Sequence, residues 1–166
     1  NNLQVISGLI ELQSKSVGNE DLKTALMEGR NRVQSIALIH QNLYQNTDLS
    51  HIEMGRFIQE LEREVSLVFR RENLKVNTTV ETPDLILDID TAVPLGLIIN
   101  ELLSNSFKYA FTGSSEGTIR LVIENRSPGE FALLYSDSGP GLPDSVDLKK
   151  SSTLGLQLIS DLTRQI

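Results

Sequence analysis

The spacing of hydrophobic residues changes after residue 69, and that change constrains the fold more than any other feature of the sequence. In three stretches between residues 1 and 69 the apolar side chains recur every three or four positions, as on one face of an α-helix. From Leu74 to Val80 they alternate with polar residues, as in a half-buried strand, and further strand-like and helical segments follow. A chain that is helical first and mixed afterwards is predicted to be α+β.

The first part of the chain predicts a hairpin of two helices. The first helix covers about residues 1–17 and ends at a turn signal around Gly18, and Asp21 can cap the second helix. In that second helix the apolar residues recur at alternating steps of four and three up to Leu43. Two helices cannot enclose such wide apolar stripes, so we expect residues 1–48 to form a dimeric four-helix bundle with a second copy.

Residues 49–166 predict a separate α+β domain. A third helix is expected up to Phe69, and a long helix over residues 91–110 with Asp90 or Thr91 as its cap. A last helix follows Leu154 and Gly155. The predicted strands are residues 74–80, 85–89, 118–124 and 131–135.

Composition excludes several classes of function. The 166 residues include 15 Lys and Arg against 22 Asp and Glu, so the formal net charge of −7 provides no basic field for nucleic acid or an anionic membrane. The absence of cysteine excludes thiol catalysis and thiolate zinc sites, and is compatible with a reducing, cytosolic setting. No apolar run approaches the roughly 20 residues that span a bilayer, so no membrane segment is predicted in this chain.

The long predicted helix carries polar residues suited to phosphate chemistry. Glu101, Asn105 and Lys108 are spaced i, i+4 and i+7, which places a carboxylate, an amide and an ammonium along one face. An amide oxygen suits Mg²⁺, and an ammonium can neutralise phosphate. The same spacing is also typical of a solvated polar helix face.

Two glycine-containing segments follow. Asp137 leaves a predicted strand and is followed by Gly139 and Gly141, an arrangement that suits a pocket floor or an ordinary turn. Gly155 stands at the start of the last helix, where free backbone amides favour an anion. The order of the three segments favours a nucleotide site over three unrelated surface features.

These three segments resemble, in order, the N box, G1 box and G2 box of the Bergerat-fold ATPases shared by histidine kinases, gyrases and heat-shock chaperones. Residues 1–7 and 37–44 resemble the dimerisation and phosphotransfer hairpin of histidine kinases related to the HWE kinases. The resemblance implies a helical hairpin followed by a Bergerat-type α/β sandwich that binds ATP. Because the sheet of that fold ends with a strand after the final helix, the resemblance also implies that this chain lacks its last strand.

The resemblance also implies a role for each matched residue. Asn105 would bind Mg²⁺, Asp137 would accept from the adenine amino group, and Glu101 matches the residue that orients water in the hydrolases of the family. The catalytic residues implied are Glu101, Asn105 and Lys108, and those implied to contact the nucleotide are Asn105, Lys108, Tyr109, Asp137, Gly139, Gly141, Thr153, Gly155 and Leu156.

The implied function is that of a cytoplasmic sensor histidine kinase core. With ATP and Mg²⁺ it would phosphorylate a histidine and pass the phosphoryl group to an aspartate on the receiver domain of a response regulator. The acceptor histidine is expected just upstream of Asn1, whereas His40 is expected to pack in the bundle and His51 to cap a helix or be solvated. Two alternatives stay open: a non-catalytic dimerisation scaffold with a degenerate nucleotide pocket, and a related Bergerat-fold ATPase or serine kinase.

Overall fold

The chain divides into two units, residues 1–47 and residues 48–166, in a computed structural model. The structure describes residues 2–44, 51–69, 71, 73–127, 129–141 and 154–166. The first unit is a hairpin of two helices, and the second combines helices with a sheet, so the predicted α+β class is confirmed. No helix in the described ranges has the length and apolar character needed to cross a bilayer.

The first unit consists of α1 (Asn2–Ser16) and α2 (Glu20–Tyr44), which pack against each other. The cap of α2 differs from the prediction. The Asn19 side-chain oxygen accepts from the backbone N–H of Asp21 at 2.9 Å and of Leu22 at 3.1 Å. Asn19 is therefore the N-cap. Asp21 lies inside the first turn, where its negative charge interacts favourably with the positive end of the helix dipole.

Part of the apolar stripe of this hairpin is exposed in the single chain. The exposed fraction reaches 66% at Leu12, and the other apolar residues concerned include Val5, Ile6, Leu9 and Leu22. Side chains of this kind normally lie against another protein surface when they form a continuous patch.

The second unit has a three-stranded sheet as its centre. Its elements are β1 (Ile52–Glu53), α3 (Met54–Val68), β2 (Lys75–Glu81), β3 (Ile86–Leu87), α4 (Ile89–Asn105), β4 (Glu116–Ser127), β5 (Glu130–Asp137) and α5 (Leu154–Thr163). The strand order of the sheet is β2-β4-β5, with β2 parallel to β4 and β4 antiparallel to β5, and a separate two-stranded pair joins β1 to β3. Helices α3 and α5 both pack against α4.

The core of this unit follows the two hydrophobic periods of the sequence. On β4 every second residue is buried, which is the pattern of a strand with one covered face. The helices contribute residues at three- and four-residue spacing, as an amphipathic helix does. Buried members of this core are Phe57, Ile58, Leu61, Leu95, Ile99, Leu103, Ile119, Leu121 and Ile123.

Two helix starts in this unit differ from the prediction. The Asp88 carboxylate accepts from the backbone N–H of Thr91 at 2.8 Å, so Asp88 caps α4 rather than Asp90 or Thr91. Helix α3 begins at Met54, and His51 precedes the short strand β1 instead of starting a helix. The reason is that residues 52–53 pair with residues 86–87, which the sequence pattern does not reveal.

Candidate functional site

Helix α4 does not continue as an α-helix to residue 110. It ends at Asn105 and passes into a π-helical turn, Ser106–Ala110, in which the Phe111 N–H donates to the Ser106 carbonyl at 3.2 Å. A π-turn adds one residue to the turn and is frequently found at functional sites. Lys108 and Tyr109 lie on this turn, so the predicted polar face changes its helical geometry just after Asn105.

Aromatic packing holds the π-turn in place. The Phe107 ring stacks on Phe69 with centroids 5.8 Å apart and meets Phe111 edge-on at 6.0 Å. The Arg71 guanidinium donates to the Phe107 carbonyl at 3.3 Å. Since Phe107 and Phe111 are both buried, these contacts anchor the turn from the core side.

The polar residues of α4 and the π-turn differ in exposure. Glu101 is buried, Asn105 and Lys108 are half-buried, and Tyr109 is 64% exposed. Glu101 and Asn105 share one helix face because they are four residues apart. Their side-chain oxygens are of the type that Mg²⁺ prefers, and Mg²⁺ commonly takes only one or two protein ligands together with phosphates and water.

Asp137 joins the end of β5 to the end of α4. Its carboxylate accepts from the Ser106 hydroxyl at 2.6 Å through one oxygen and from the Gly139 N–H at 2.9 Å through the other. A carboxylate has about four acceptor positions. Asp137 can therefore accept further hydrogen bonds from a ligand while both contacts stay in place.

The glycines after Asp137 are required by the local geometry. A Cβ atom at residue 139 would lie 2.4 Å from the Ala110 Cβ and 2.8 Å from the Ala110 Cα, so only glycine fits there. Gly141 has a φ of +80°, a conformation that side chains other than glycine rarely adopt. The backbone of this loop thus passes directly against the end of the π-turn.

Two residues at this junction were missed by the sequence reasoning, Ser106 and Tyr135. Ser106 is only 2% exposed, and its hydroxyl lies 2.8 Å from the Tyr135 hydroxyl as well as contacting Asp137. Burial raises the pKa of Tyr135 above its ordinary value; the hydrogen bond with Ser106 opposes this rise and the charge of Asp137 adds to it. The strand alternation, which places residues 135 and 137 on one face, was the available signal for Tyr135.

The remaining predicted residues lie on α5. Gly155 is buried and Leu156 half-buried in the first turn of this helix, which packs against α4. Thr153 lies outside the described residues. The structure therefore brings Asp137 and Gly139 to the end of α4 directly, and it places Gly155 and Leu156 on a helix that contacts α4.

A cleft of about 1060 Å³ lies on another part of this unit, between α4, β5 and α5. Apolar residues line much of it, and it meets the polar junction only at Tyr135; the apolar members include Leu95, Ile98, Phe131, Leu133 and Ile159. The residues with chemistry suited to a nucleotide lie elsewhere, so the volume of this cleft does not identify the site.

Comparison with known proteins gives matches over nearly the whole chain. Residues 1–69 match the family model HisKA_2, described as histidine kinase. The chain is 31% identical over 166 residues to the sensor histidine kinase PdtaS of Mycolicibacterium smegmatis, covering 98% of this chain and 32% of that protein. It is 24% identical over 172 residues to blue-light-activated histidine kinase 2 of Erythrobacter litoralis, covering 99% and 47% respectively.

A solved structure has a similar fold. The histidine kinase domain of a blue-light activated histidine kinase from Erythrobacter litoralis aligns with a TM-score of 0.69 at 19% identity, covering 97% of this chain and 84% of that one. At this identity the likeness concerns the fold. The chain spans between about a third and a half of the length of the two curated relatives.

Proposed function

We propose that this chain, which is homologous to sensor histidine kinases, is the dimerising and ATP-binding core of such a kinase. Histidine kinases in general use ATP with a divalent metal ion, dimerise and pair with response regulators. For this chain we propose ATP and Mg²⁺ as the ligands, the receiver domain of a response regulator as the partner, and a cytoplasmic location.

The observation that carries the proposal is the anchored carboxylate of Asp137. It is held between the Ser106 hydroxyl and the Gly139 N–H, and it retains acceptor positions for the amino group of an adenine. The loop that follows can approach a base closely because Gly139 and Gly141 carry no side chain. The amino group of an adenine can donate to such a carboxylate, and the flat face of the ring can lie against such a loop.

The polar face of α4 supports the phosphate end of the proposal. Asn105 would provide an oxygen to Mg²⁺, and the Lys108 ammonium would neutralise charge on the phosphates, with Glu101 beside them. Phosphoryl transfer needs mainly positioning and charge stabilisation, so no covalent intermediate on the ATP-binding domain itself is required. We place Tyr109, Thr153, Gly155 and Leu156 around the nucleotide by the same family resemblance.

The exposed apolar stripe of the first unit supports homodimerisation. Charged or polar residues would be expected at these positions if α1 and α2 faced water on that side. We propose that two copies of the hairpin bury the stripe in a four-helix bundle. The acceptor histidine is expected upstream of Asn1, and the phosphoryl group would pass from it to an aspartate of the regulator.

A titration with ATP, with and without Mg²⁺, tests the nucleotide site. The wild-type chain is expected to bind ATP more tightly with Mg²⁺, and Asp137→Asn is expected to lose most of the affinity because an amide can place an N–H opposite the adenine amino group. Asp84→Asn, at an exposed position, is the matched control and should bind as the wild type does. Equal binding by wild type and Asp137→Asn would overturn the assignment of Asp137.

Phosphate labelling tests the kinase activity. A version extended upstream to include the expected histidine should acquire acid-labile, base-stable phosphate from ATP. Acid-stable, base-labile phosphate would instead indicate a serine kinase. Absence of ATP binding by the folded chain, and also by a version extended at its C-terminus to add the last strand of the sheet, would favour the non-catalytic scaffold.

A further inference from the structure

Three side chains form a continuous polar chain between β5 and the start of the π-turn. The Ser106 hydroxyl contacts the Asp137 carboxylate at 2.6 Å and the Tyr135 hydroxyl at 2.8 Å. Ser106 is 2% exposed and Tyr135 is half-buried, so water has little access to the middle of this chain. Tyr135 has no part in the proposed function as derived so far, and Ser106 enters it only as one of the two groups that contact Asp137.

The direction of the hydrogen bonds follows from the number of protons. The Ser106 hydroxyl donates to the Asp137 carboxylate, so its single proton points to Asp137. Tyr135 must then donate to the Ser106 oxygen. Burial raises the pKa of Tyr135, so the phenol keeps the proton that it donates. The chain therefore runs in one direction, from Tyr135 through Ser106 to Asp137.

This arrangement determines which side of the carboxylate faces a ligand. Ser106 holds one carboxylate oxygen, and the Gly139 N–H holds the other at 2.9 Å. Two contacts on two oxygens define the plane of the group as well as its position. Without the Ser106 contact, the carboxylate could rotate about its bond to Cβ. The lone pairs that remain free for a ligand would then no longer point in a single direction.

We propose that Ser106 and Tyr135 are positioning residues that orient the Asp137 carboxylate and thereby set the preference of the site for an adenine over a guanine base. The proposal rests on the proposed function, because it assumes that Asp137 contacts the base. Adenine presents an amino group to an oriented carboxylate, whereas guanine presents a carbonyl oxygen at the equivalent ring position and is repelled. A carboxylate free to rotate would discriminate less between them.

If the role of Ser106 were purely structural, a different change in nucleotide affinity would be expected. If the hydroxyl only connected α4 to β5, its loss would loosen the site and weaken ATP and GTP binding in parallel. Loss of orientation instead weakens ATP more than GTP. The ratio of the two affinities therefore separates a positioning role from a structural one, even in a variant with a lower melting temperature.

The experiment is a competition titration of ATP and GTP against a fluorescent ATP analogue, with the full chain and Mg²⁺. We expect Ser106→Ala to weaken ATP binding about 10-fold, as the loss of one hydrogen bond to a charged group does, and to reduce the ATP to GTP affinity ratio by a similar factor. Tyr135→Phe should have a smaller effect of the same kind. In the Ser106→Ala background it should have no further effect, because Tyr135 acts through Ser106.

Ser136→Ala is the matched control, because Ser136 lies on the opposite, exposed face of β5. An unchanged affinity ratio in both Ser106→Ala and Tyr135→Phe would overturn the inference, while ATP binding that depends on Asp137 would leave the proposed function standing. Failure of the wild type to bind ATP, or full binding by Asp137→Asn, would overturn the proposed function and the inference with it. If Ser106→Ala does not fold, the affinity ratio of Tyr135→Phe decides.

Discussion

Gly139 lies so close to Ala110 that a Cβ at residue 139 would come within 2.4 Å of the Ala110 Cβ and 2.8 Å of its Cα. The loop after β5 therefore packs directly on the last residue of the π-turn. The same loop donates its Gly139 N–H to Asp137. Loop position and carboxylate orientation are thus coupled at one point of contact.

Gly139→Ala is expected to destabilise the second unit and to abolish ATP binding. The conflict involves the backbone Cα of Ala110, which no side-chain rotation relieves, and overpacking of this kind typically costs about 1–3 kcal/mol. Chemical denaturation and ATP titration measure the two effects. Gly18→Ala is the control, since no atom apart from those of residues 17–19 lies within 4 Å of a Cβ added at that turn. Wild-type stability and binding in Gly139→Ala would contradict the close packing.

The main features of the fold could be predicted from hydrophobic periodicity. The number and order of the helices, and the strands near residues 75–81 and 116–137, follow from local spacing. The strand predicted over residues 85–89 contains β3, but β1 and its pairing with β3 could not be predicted, because the pairing joins segments 33 to 35 residues apart in sequence. The N-caps of α2 and α4 lie two or three residues before the predicted positions, since several polar residues near each helix start can act as acceptors.

The site could be predicted only in part. The segments around Asn105, Asp137 and Gly155 were selected by their motifs, whereas Ser106 has no motif signal of its own. Its importance comes from the π-turn and from β5, which lies 29 to 31 residues further along the chain. A π-turn depends on tertiary packing, here of Phe107 and Phe111, and it has no simple sequence period.

Alkaline unfolding should reveal the buried hydroxyl of Tyr135. Its pKa is raised by burial, so the folded state holds this proton more tightly than the unfolded chain, whose tyrosine pKa is near 10. The resulting stability is fully present below pH 10 and is lost as the pH rises above it, by at most about 1.4 kcal/mol per pH unit. Urea denaturation between pH 9 and 11 should show a shallower loss for Tyr135→Phe than for the wild type.

The control for this measurement is Tyr109→Phe, which removes a hydroxyl from a ring that is 64% exposed. It corrects for the loss of one tyrosine from the chain. An equal alkaline slope in wild type and Tyr135→Phe would show that the Tyr135 hydroxyl ionises alike in the folded and unfolded states.

Removing the cap of α4 should lower the stability of the second unit. Asp88→Ala leaves the Thr91 N–H without its side-chain acceptor, and loss of an N-cap costs about 1 kcal/mol. Asp88→Asn keeps an acceptor oxygen and should retain most of the stability. Asp90→Ala tests the cap expected from the sequence, and thermal unfolding should show a smaller decrease for it than for Asp88→Ala. The reverse order would place the cap at Asp90.

Leu12→Glu should dissociate the proposed dimer. Leu12 is 66% exposed in the single chain, and a carboxylate in a bundle seam would be buried without a partner. Light scattering should give a mass near twice 18.4 kDa for the wild type and near 18.4 kDa for Leu12→Glu at the same concentration. Gln13→Glu, at an exposed polar position, adds the same charge and should remain dimeric. A monomeric wild type at every concentration would contradict the dimer.

Asn105→Ala should remove the dependence of ATP binding on Mg²⁺. The substitution deletes the side-chain oxygen proposed to bind the metal ion but leaves Asp137 and the glycine loop unchanged. We therefore expect affinity in Mg²⁺ to fall about 10-fold while affinity in EDTA changes little, a difference that calorimetry in the two buffers measures. Asn77→Ala, at an exposed position on β2, is the control and should behave as the wild type. A parallel loss of affinity in both buffers would mean that Asn105 contacts the nucleotide itself, and an unchanged response to Mg²⁺ would place the metal ion on other ligands.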